Sequence, residues 1–432
     1  MKNTITQGNC LDVLKTMPDN HIDTIITDPP YGLSFMGKKW DYDVPSIDIW
    51  KECLRVLKPG GTALIFAGSR TQHRMACNVE DAGFILKDTI MWLYGSGFPK
   101  ATDISKQLDK GNKREKIDTG KTIPNIKSGN YENSSGKERL IDFVEIPATP
   151  EAKLWNGWKS HGLKPAYEPI LVCMKPNDGT YAENALKYGV SGLNIEQSRI
   201  PTEENLNGGI YSGEGKCKTV ADHEWGFQKR DGEYKQPTGR FPANIILDEE
   251  AGKMLDEQSG VSKDGIAVNK NRGDRKKSLI NYANHDGKDV GFGGKGGASR
   301  FFYCAKASKS ERNKGCEGLE EKRGGSMEAN ISDKMQLGGA PLKGEHKEIQ
   351  STKNTHPTVK PLKLMEYLCT LTKTPTGGIV LDPFCGSGTT LMAAKLTGRD
   401  YIGIEREEEY IEIAKCRVDA VKIEGDLFKE MI

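Results

Sequence analysis

The ten cysteines of this chain include no C-x-x-C pair, and this spacing excludes the usual zinc-binding motifs. Scattered single cysteines are mostly small buried hydrophobic residues in a reducing compartment. The sequence also lacks any run of about 18 apolar residues, and its first residues contain no apolar segment of signal-peptide length. We therefore expect a soluble, cytoplasmic protein with no metal site and no contact with a membrane.

Apolar residues are scarce, at 36%, while glycines number 49 in 432 residues, so part of the chain must be loop-rich. The net charge is only +2 and by itself indicates no partner. Residues 263–314, however, contain thirteen Lys or Arg against five Asp or Glu. This run is either a basic module that contacts an anionic partner or a solvated basic loop.

Strand and helix patterns alternate over residues 1–99 and again over residues 352–432. Such alternation predicts a parallel sheet with helices on both faces. Between these segments lies a polar, glycine-rich stretch in which an apolar strand pattern, PAYEPILVCM, returns at residues 165–174. Because the last segment has only two strand patterns, too few for a sheet of its own, we interpret the chain as one α/β domain split by insertions.

The segment DTIITDPPYG, residues 23–32, is a buried strand pattern that stops at a carboxylate, two prolines and an aromatic ring. Two consecutive prolines cannot continue a sheet ladder, because neither has an N–H to donate. An exocyclic amine of adenine or cytosine is a poor nucleophile, since its lone pair is delocalised into the ring. The Asp28 carboxylate and the Pro29 carbonyl can accept the amine hydrogens and free that lone pair. Pro30 keeps the turn rigid and Tyr31 can stack on the base; a plain proline-rich turn is the alternative.

The segment LDPFCGSGTT, residues 381–390, predicts a buried strand that ends in a tight glycine turn leading into a helix. Gly386 and Gly388 would let a ligand approach the backbone N–H groups at the helix N-terminus. A dinucleotide fingerprint needs a third glycine where this chain has Leu391, which counts against a nicotinamide or flavin enzyme. Glu405 ends the next strand, where a carboxylate can accept ribose hydroxyls; helix N-capping is the alternative.

Together these motifs resemble those of the S-adenosylmethionine-dependent amino-methyltransferases of DNA. The DPPY tetrapeptide comes early and the glycine turn comes late, an order that resembles the circularly permuted beta class found in bacteria and phages. Four further segments are similar to family segments: NTHPTVKPLKLMEYL, WLYGSGFPKATDISK, GLKPAYEPILVCMKP and GRFPANIILDEE. The resemblance covers roughly half of the chain, chiefly its two ends.

The resemblance implies a set of site residues. The catalytic residues would be Asp28, Pro29, Pro30 and Tyr31. The cofactor S-adenosylmethionine would be bound by Asn9, Thr358, Lys360, Asp382, Phe384, Gly386, Gly388, Thr389 and Glu405. Within this set, Thr358 and Lys360 would hold the methionine end, and Asn9 would accept a hydrogen bond from the cofactor's adenine amine. Relatives often carry aspartate at the position of Asn9.

The resemblance also implies the fold, a three-layer, Rossmann-like α/β methyltransferase sheet, circularly permuted and mostly parallel with one antiparallel edge strand. The strand ITQG would lie beside the strand YIGIE, so that both chain ends meet at one sheet edge. The implied parts are a catalytic half (1–99), a flexible insertion (100–159), a returning sheet strand (160–176), a target-recognition region (177–351) and a cofactor-binding half (352–432).

The implied activity is methylation of N6 of an adenine that has left the helix of duplex DNA at a short specific sequence. Aspartate before Pro-Pro-Tyr favours adenine in this family, and N4 of cytosine is the alternative. Two other classes stay open, an RNA or protein methyltransferase and a catalytically silent DNA-binding relative. The resemblance leaves a homodimer and a separate restriction enzyme open as partners.

Three further features receive no firm role from the sequence. His356 could touch the cofactor or belong to a structural turn. Trp40 follows DPPY closely and could border the base pocket. Read beside DPPY, the basic run 263–314 favours contacts with nucleic-acid phosphates.

Overall fold

The computed structural model describes residues 2–33, 41–97, 101–124, 139–204, 206, 235–263, 295–305, 309–320, 322–323 and 351–422. Trp40 and most of the basic run 263–314 lie outside these described residues. The chain divides into two compact units, one of Met1–Gly95 with Tyr167–Ile432 and the other of Ser96–Ala166. The domain boundaries predicted from the sequence stay predictions.

The first unit contains most of the regular elements. Its strands are β1 (Thr4–Gln7), β2 (Ile22–Thr27), β3 (Leu57–Phe66), β4 (Ile85–Leu93), β7 (Tyr167–Met174), β8 (Ile200–Pro201), β9 (Gly239–Arg240), β10 (Ile245–Asp248), β11 (Ser262–Lys263), β12 (Lys295–Gly296), β13 (Tyr303–Ala305), β14 (Lys322–Arg323), β15 (Ser351–Thr352), β16 (Ile379–Asp382) and β17 (Asp400–Glu405). Its helices are α1 (Cys10–Lys15), α2 (Ile47–Val56), α3 (Gln72–Asp81), α6 (Tyr181–Tyr188), α7 (Glu249–Ser259), α8 (Leu362–Leu371), α9 (Thr389–Leu396) and α10 (Glu408–Asp419). Short 3-10 helices span Glu196–Ser198, Ala298–Phe301 and Lys309–Arg312.

A nine-stranded sheet in the order β1-β17-β16-β2-β3-β7-β4-β10-β13 organises this unit. The prediction that the first and last strands pair is confirmed, because Thr4–Gln7 runs parallel to Ile402–Glu405 at one edge. The prediction of one antiparallel strand at the edge of the sheet is wrong about the position of that strand. The antiparallel strand is β7, and it lies inside the sheet between β3 and β4.

The sheet also extends further than the sequence indicates. Strands β10 and β13 continue it beyond β4, each parallel to its neighbour, although they come from the stretch assigned to target recognition. Their short apolar cores, IILD and YCA, are flanked by polar and glycine-rich residues. Such isolated apolar pieces give no periodicity long enough to assign a strand to a particular sheet.

Alternation of side chains along the central strands creates two apolar layers. Ile26, Leu64 and Val380 face one side, where they pack with α8, α9 and Val418 of α10. Their sequence neighbours Ile25, Ile65 and Leu381 face the other side and pack with α1, α2 and α3. β2, IDTIIT, has no exposed residue, as a parallel strand covered on both faces requires. Its three polar residues, Asp23, Thr24 and Thr27, are buried and hydrogen-bonded, to Ile379, Thr372 and Asp382 respectively. The result is the three-layer α/β sheet expected from the sequence.

The second unit contains α4 (Ile104–Leu108), β5 (Glu115–Pro124), β6 (Arg139–Ile146) and α5 (Pro150–Leu154), with β5 and β6 paired antiparallel. The polar composition of residues 100–150 predicts a mobile loop, so these helices and strands are a correction. One cause is the buried carboxylate of Asp109. It accepts the N–H groups of Ala148 and Thr149 and pairs with Arg114 at 2.8 Å. Charged residues satisfied by one another in this way leave no hydrophobic pattern to read.

In the ranges described above, no helix is long and apolar enough to cross a membrane. No cluster of three or more His, Cys, Asp or Glu side chains within those ranges could hold a metal ion.

The buried central strand β2 should dominate the stability of the first unit. Ile26→Ala removes a fully buried side chain beneath the sheet end that carries Asp28. We expect the free energy of unfolding, measured by urea denaturation, to fall by about 2–5 kcal/mol. The same substitution at Ile85, which is 42% exposed, is the control and should change it by less than about 1 kcal/mol. Equal losses for the two variants would contradict the assignment of this core.

Candidate functional site

The predicted site residues follow strands that end at one edge of the sheet. Strands β1, β17, β16 and β2 are neighbours and run parallel, so their carboxyl ends meet. Asn9 follows β1, Glu405 ends β17, Asp382 ends β16 and Asp28 follows β2. Ligands of open α/β sheets bind at this edge. The fold therefore brings the early DPPY motif and the late glycine turn to adjacent strands.

The Asp28 carboxylate is held from two sides. The Tyr31 hydroxyl donates to Asp28 Oδ1 at 2.6 Å, and Lys360 Nζ donates to Asp28 Oδ2 at 2.7 Å. Glu168 completes the group, since its Oε2 lies 3.2 Å from both the Tyr31 hydroxyl and Lys360 Nζ. We call Asp28, Tyr31, Glu168 and Lys360 the carboxylate cluster.

The charges of the carboxylate cluster shift the pKa values of Lys360 and Tyr31. Burial alone would lower the pKa of Lys360, but the carboxylates of Asp28 and Glu168 raise it above that of a free lysine. Burial raises the pKa of Tyr31 well above its ordinary value, and both carboxylates raise it further. Lys360 is therefore an ammonium and Tyr31 a neutral phenol at physiological pH.

Asp41 holds the backbone that follows the two prolines. Its side chain is only 3% exposed. One carboxylate oxygen accepts the N–H groups of Tyr31 and Gly32 at 2.7 and 2.9 Å, and the other accepts that of Leu33 at 3.2 Å. Three N–H groups that point at one carboxylate fix the turn, and with it the direction of the Tyr31 ring.

Asp382 is turned into the protein. Its carboxylate accepts hydrogen bonds from the Thr27 hydroxyl at 2.7 Å, the Thr390 hydroxyl at 2.5 Å and the N–H of Phe384 at 3.1 Å. Burial raises its pKa to about 6. The structure thus places Asp382 where it ties β16 to β2 and to the first turn of α9. Its predicted contact with the cofactor stays a prediction.

The glycine turn depends on two left-handed residues, Gly386 at φ 48° and Gly388 at φ 79°. A Cβ on Gly386 would lie 2.6 Å from His356 Nε2, and one on Gly388 would lie 3.0 Å from the Cβ of Ala414. Both positions therefore require glycine for conformation and for space.

His356 packs against this turn as a neutral ring. Burial lowers its pKa to about 4. The Thr358 carbonyl, which can only accept, lies 2.6 Å from Nδ1, so Nδ1 carries the proton. The ring also contacts Tyr410 edge to face at 4.5 Å. The structural role of His356 is thereby established by its contacts, while the alternative of cofactor contact stays open.

Glu405 and Asn9 lie side by side at the edge of the sheet. Glu405 Oε2 accepts the N–H of Gly386 at 2.9 Å, and Oε1 accepts those of Arg406 and Glu407. Asn9 is the N-cap of α1, where its Oδ1 accepts the N–H of Leu11 at 3.0 Å. Glu405 does not cap α10, because the N-cap is Glu407, without a side-chain capping bond, and Glu405 holds the N–H groups of the two residues that precede the helix. These contacts leave acceptor capacity on both side chains, since each oxygen has two lone pairs.

The remaining predicted residues surround the glycine turn. Thr389 is buried and accepts a hydrogen bond from Arg417 at 2.9 Å, and the same nitrogen also donates to the Ser387 carbonyl at 2.6 Å. Phe384 is half-buried against the apolar layer of α1, α2 and α3. Thr358 is exposed.

Sequence reasoning missed Glu168, Asp41 and Arg417. A signal for Glu168 exists, because it stands at the start of the strand pattern PAYEPILVCM. An antiparallel strand begins at the edge where its parallel neighbours end, and Ile170 pairs with Phe66 at the carboxyl end of β3. Asp41 gave no signal, since an aspartate in a loop has many other roles. Arg417 reads as a surface residue of an amphipathic helix, yet it is fully buried.

Known methyltransferases are similar to this chain in sequence. The sequence model of the N6/N4 methylase family, described as DNA methylase, matches residues 22–416. The chain is 46% identical to the Type II methyltransferase M2.DpnII of Streptococcus pneumoniae over 17% of this chain and 27% of that protein. It is 47% identical to the Type II methyltransferase M.HinfI of Haemophilus influenzae over 46% of this chain and 65% of that protein. The chain therefore spans less than two thirds of the length of either relative.

Solved structures are similar at a lower level. The PvuII DNA methyltransferase, described as cytosine-N4-specific, is 13% identical with a TM-score of 0.42, covering 100% of this chain and 91% of that one. The M1.HpyAVI complex with SAM is 17% identical with a TM-score of 0.35, covering 96% and 98%. At these values the likeness adds nothing to what the observed sheet order shows.

The family match includes both the DPPY segment and the glycine turn, which the structure brings together on adjacent strands. Members of this family use S-adenosylmethionine as the methyl donor. Since the match runs through more than half of the sequence, from residue 22 to residue 416, this chain belongs to the N6/N4 DNA methylase family.

Proposed function

We propose that the chain is a site-specific DNA methyltransferase that transfers a methyl group to the N6 amine of adenine. The observation that carries this proposal is that the carboxylate cluster, around Asp28 at the end of β2, lies next to the glycine turn that follows the adjacent strand β16. The carboxylate cluster can accept the hydrogens of an amine, and the glycine turn with Glu405 can bind a nucleoside.

The residues around the glycine turn fit S-adenosylmethionine. Among the described residues, Glu405 Oε2 accepts one hydrogen bond, from Gly386, and a second lone pair is left for a ribose hydroxyl. Asn9, beside it, can still accept from an adenine amine. The turn beside them is formed by Gly386 and Gly388 at positive φ, and it packs against His356 and Ala414 on its protein side. When bound, the cofactor supplies an electrophilic methyl group on a sulfonium.

At the other end of the site, Asp28 and Pro29 act on the target amine. Asp28 is 20% exposed, so a base can reach its carboxylate from outside. Its oxygens and the Pro29 carbonyl accept the two amine hydrogens, which localises the nitrogen lone pair for attack. Once the amine has gained a methyl group it must lose a proton, and Asp28 is the base in contact with it. The base has to leave the helix, because its amine is otherwise paired and stacked.

Duplex DNA is the substrate we propose, with the cytoplasm as its compartment. The local excess of eight positive charges in residues 263–314 suits a polyanion. The curated relatives are Type II methyltransferases, so we further propose a separate restriction enzyme as a functional partner. A homodimer stays a prediction.

Cytosine N4 is the second candidate for the target. Its exocyclic amine presents two hydrogens in the same way, and the carboxylate cluster accepts either. Adenine is preferred here because the chain carries Asp28 before Pro-Pro-Tyr, a pattern that favours adenine within the family.

Removal of the Asp28 carboxylate should abolish methyl transfer. We expect plasmid DNA from methylation-deficient cells that express the wild type to contain N6-methyladenine, measured by nucleoside mass spectrometry. DNA from cells with Asp28→Ala should contain none, while the affinity for S-adenosylmethionine stays within about 1 kcal/mol. The matched control Asp88→Ala changes a surface aspartate and should methylate normally.

Each other outcome of that experiment has a meaning. N4-methylcytosine in DNA from cells that express the wild type would show that the target is cytosine, and the proposed mechanism would be unchanged. If neither methylated nucleoside is found, although the protein is soluble and binds S-adenosylmethionine, DNA methylation is refuted. Equal loss of methylation and of cofactor affinity in Asp28→Ala would contradict the division of the site into two ends.

A side chain at Gly386 should block the cofactor. Gly386→Val places a Cβ 2.6 Å from His356 Nε2 at φ 48°, so the turn must move. We expect the dissociation constant for S-adenosylmethionine, measured by calorimetry, to rise at least about tenfold. Gly189→Val is the control, because Gly189 also has a positive φ of 74° but has nothing within 4 Å of its missing Cβ. Unchanged affinity in Gly386→Val would refute the placement of the cofactor at this turn.

A further inference from the structure

The carboxylate cluster contains a second carboxylate, Glu168, to which the proposed reaction assigns no role. Asp28, Glu168 and Lys360 are 20%, 22% and 10% exposed, so all three are largely removed from water. With Lys360 as an ammonium, Asp28 and Lys360 alone would be neutral together. Glu168 gives the group a net charge of −1.

The ammonium of Lys360 has three N–H groups. Among the residues that the structure describes, three oxygen atoms lie within reach of Nζ: Asp28 Oδ2 at 2.7 Å, Glu168 Oε2 at 3.2 Å and the Tyr31 hydroxyl at 3.3 Å. The resemblance assigns Lys360 to the methionine end of the cofactor, whereas these contacts direct it to the carboxylate that receives the target amine.

Glu168 helps to fix where Lys360 points. Without it, the ammonium would lose one of its three oxygen partners among the described residues and would keep Asp28 and the Tyr31 hydroxyl. Tyr31 has one proton, and the shorter contact, to Asp28 Oδ1, shows which acceptor receives it. With Lys360 and Tyr31 both fixed, each oxygen of Asp28 has one protein donor and a defined direction for the lone pair that remains.

The net charge also suits the proposed reaction. Methylation of the amine would place positive charge on its nitrogen beside Asp28. A negative charge held there would stabilise that nitrogen as its charge develops, which favours the transition state over the ground state. A neutral Asp28 and Lys360 pair would offset most of this effect.

We infer that Glu168 is a positioning residue of the methyl-transfer site, which acts by holding Lys360 and thereby orients Asp28 and keeps the site anionic. This inference rests on the proposed function. It assigns Lys360 to the amine end of the site, in place of the methionine end. Glu168 reaches that end because β7 is antiparallel, so its first residues lie where β2 and β3 finish.

The contact between Glu168 and Lys360 can be tested without any reaction. Since Glu168 helps to raise the pKa of Lys360, Glu168→Gln should increase the fraction of neutral amine. We expect acetylation of Lys360 by a succinimidyl ester, followed by peptide mass spectrometry of the free protein, to accelerate at least about threefold. Glu366→Gln is the control, since Glu366 is 20% exposed and pairs with Lys363 at 2.6 Å. It should leave the rate at Lys360 unchanged, and an unchanged rate in Glu168→Gln would overturn the inference.

The effect on transfer completes the test. With cofactor and DNA saturating, we expect the single-turnover methylation rate of Glu168→Gln to fall at least about tenfold, which corresponds to one interaction made in the transition state. Affinity for S-adenosylmethionine should stay within about twofold, and Glu168→Asp should recover part of the rate. A rate within about twofold of wild type would overturn the inference, as would a loss matched by weaker cofactor binding. If the wild type itself fails to methylate DNA, the proposed function fails, and the labelling rate still reports on Glu168 and Lys360.

Discussion

The hydrogen bond from Thr27 to Asp382 joins two parts of the sequence that are 355 residues apart. Thr27 is the last residue of β2 and Asp382 the last residue of β16, so this bond locks the ends of two adjacent parallel strands. One residue further along, β2 presents Asp28; a few residues further along, β16 turns at Gly386. The distance between the amine end and the cofactor end of the site is therefore set by a contact inside the core.

Several carboxylates near the site are buried, which is unfavourable, and each has hydrogen-bond donors close to it. Asp382 accepts three hydrogen bonds, Asp41 accepts three backbone N–H groups, and Asp28 shares Lys360 with Glu168. Burying a carboxylate without such partners is strongly unfavourable. The donors that satisfy these three carboxylates come from neighbouring strands and turns, so they hold the strand ends in place. The proposed alignment of an amine with a methyl group requires such rigidity.

Most of the framework could be predicted from the sequence. Strand and helix patterns located the two halves of the sheet, and the resemblance to the circularly permuted methyltransferases implied that β1 pairs with β17. The patterns could not show that β7 lies inside the sheet, because periodicity describes one strand and says nothing of its neighbours. Nor could they reveal β10 and β13, which are only four and three residues long.

The backbone conformation around the site could be predicted from the sequence, whereas the contacts of long side chains could not. Proline and glycine restrict or extend the backbone conformations available, so turns at Pro29 and Gly386 could be predicted. Lys360 could reach several carboxylates, and only the packing of β7 decides that Glu168 and Asp28 receive it. Asp41 was hidden for the same reason.

The short segment His356 to Lys360 connects the two ends of the site. The imidazole of His356 packs on Gly386, while the ammonium of Lys360, four residues later, binds Asp28. The Nδ1–H group of His356 donates to the carbonyl of Thr358, which lies between them and stiffens the segment. One stretch of backbone therefore contacts both the glycine turn and the carboxylate cluster, in addition to the strand contact at Thr27.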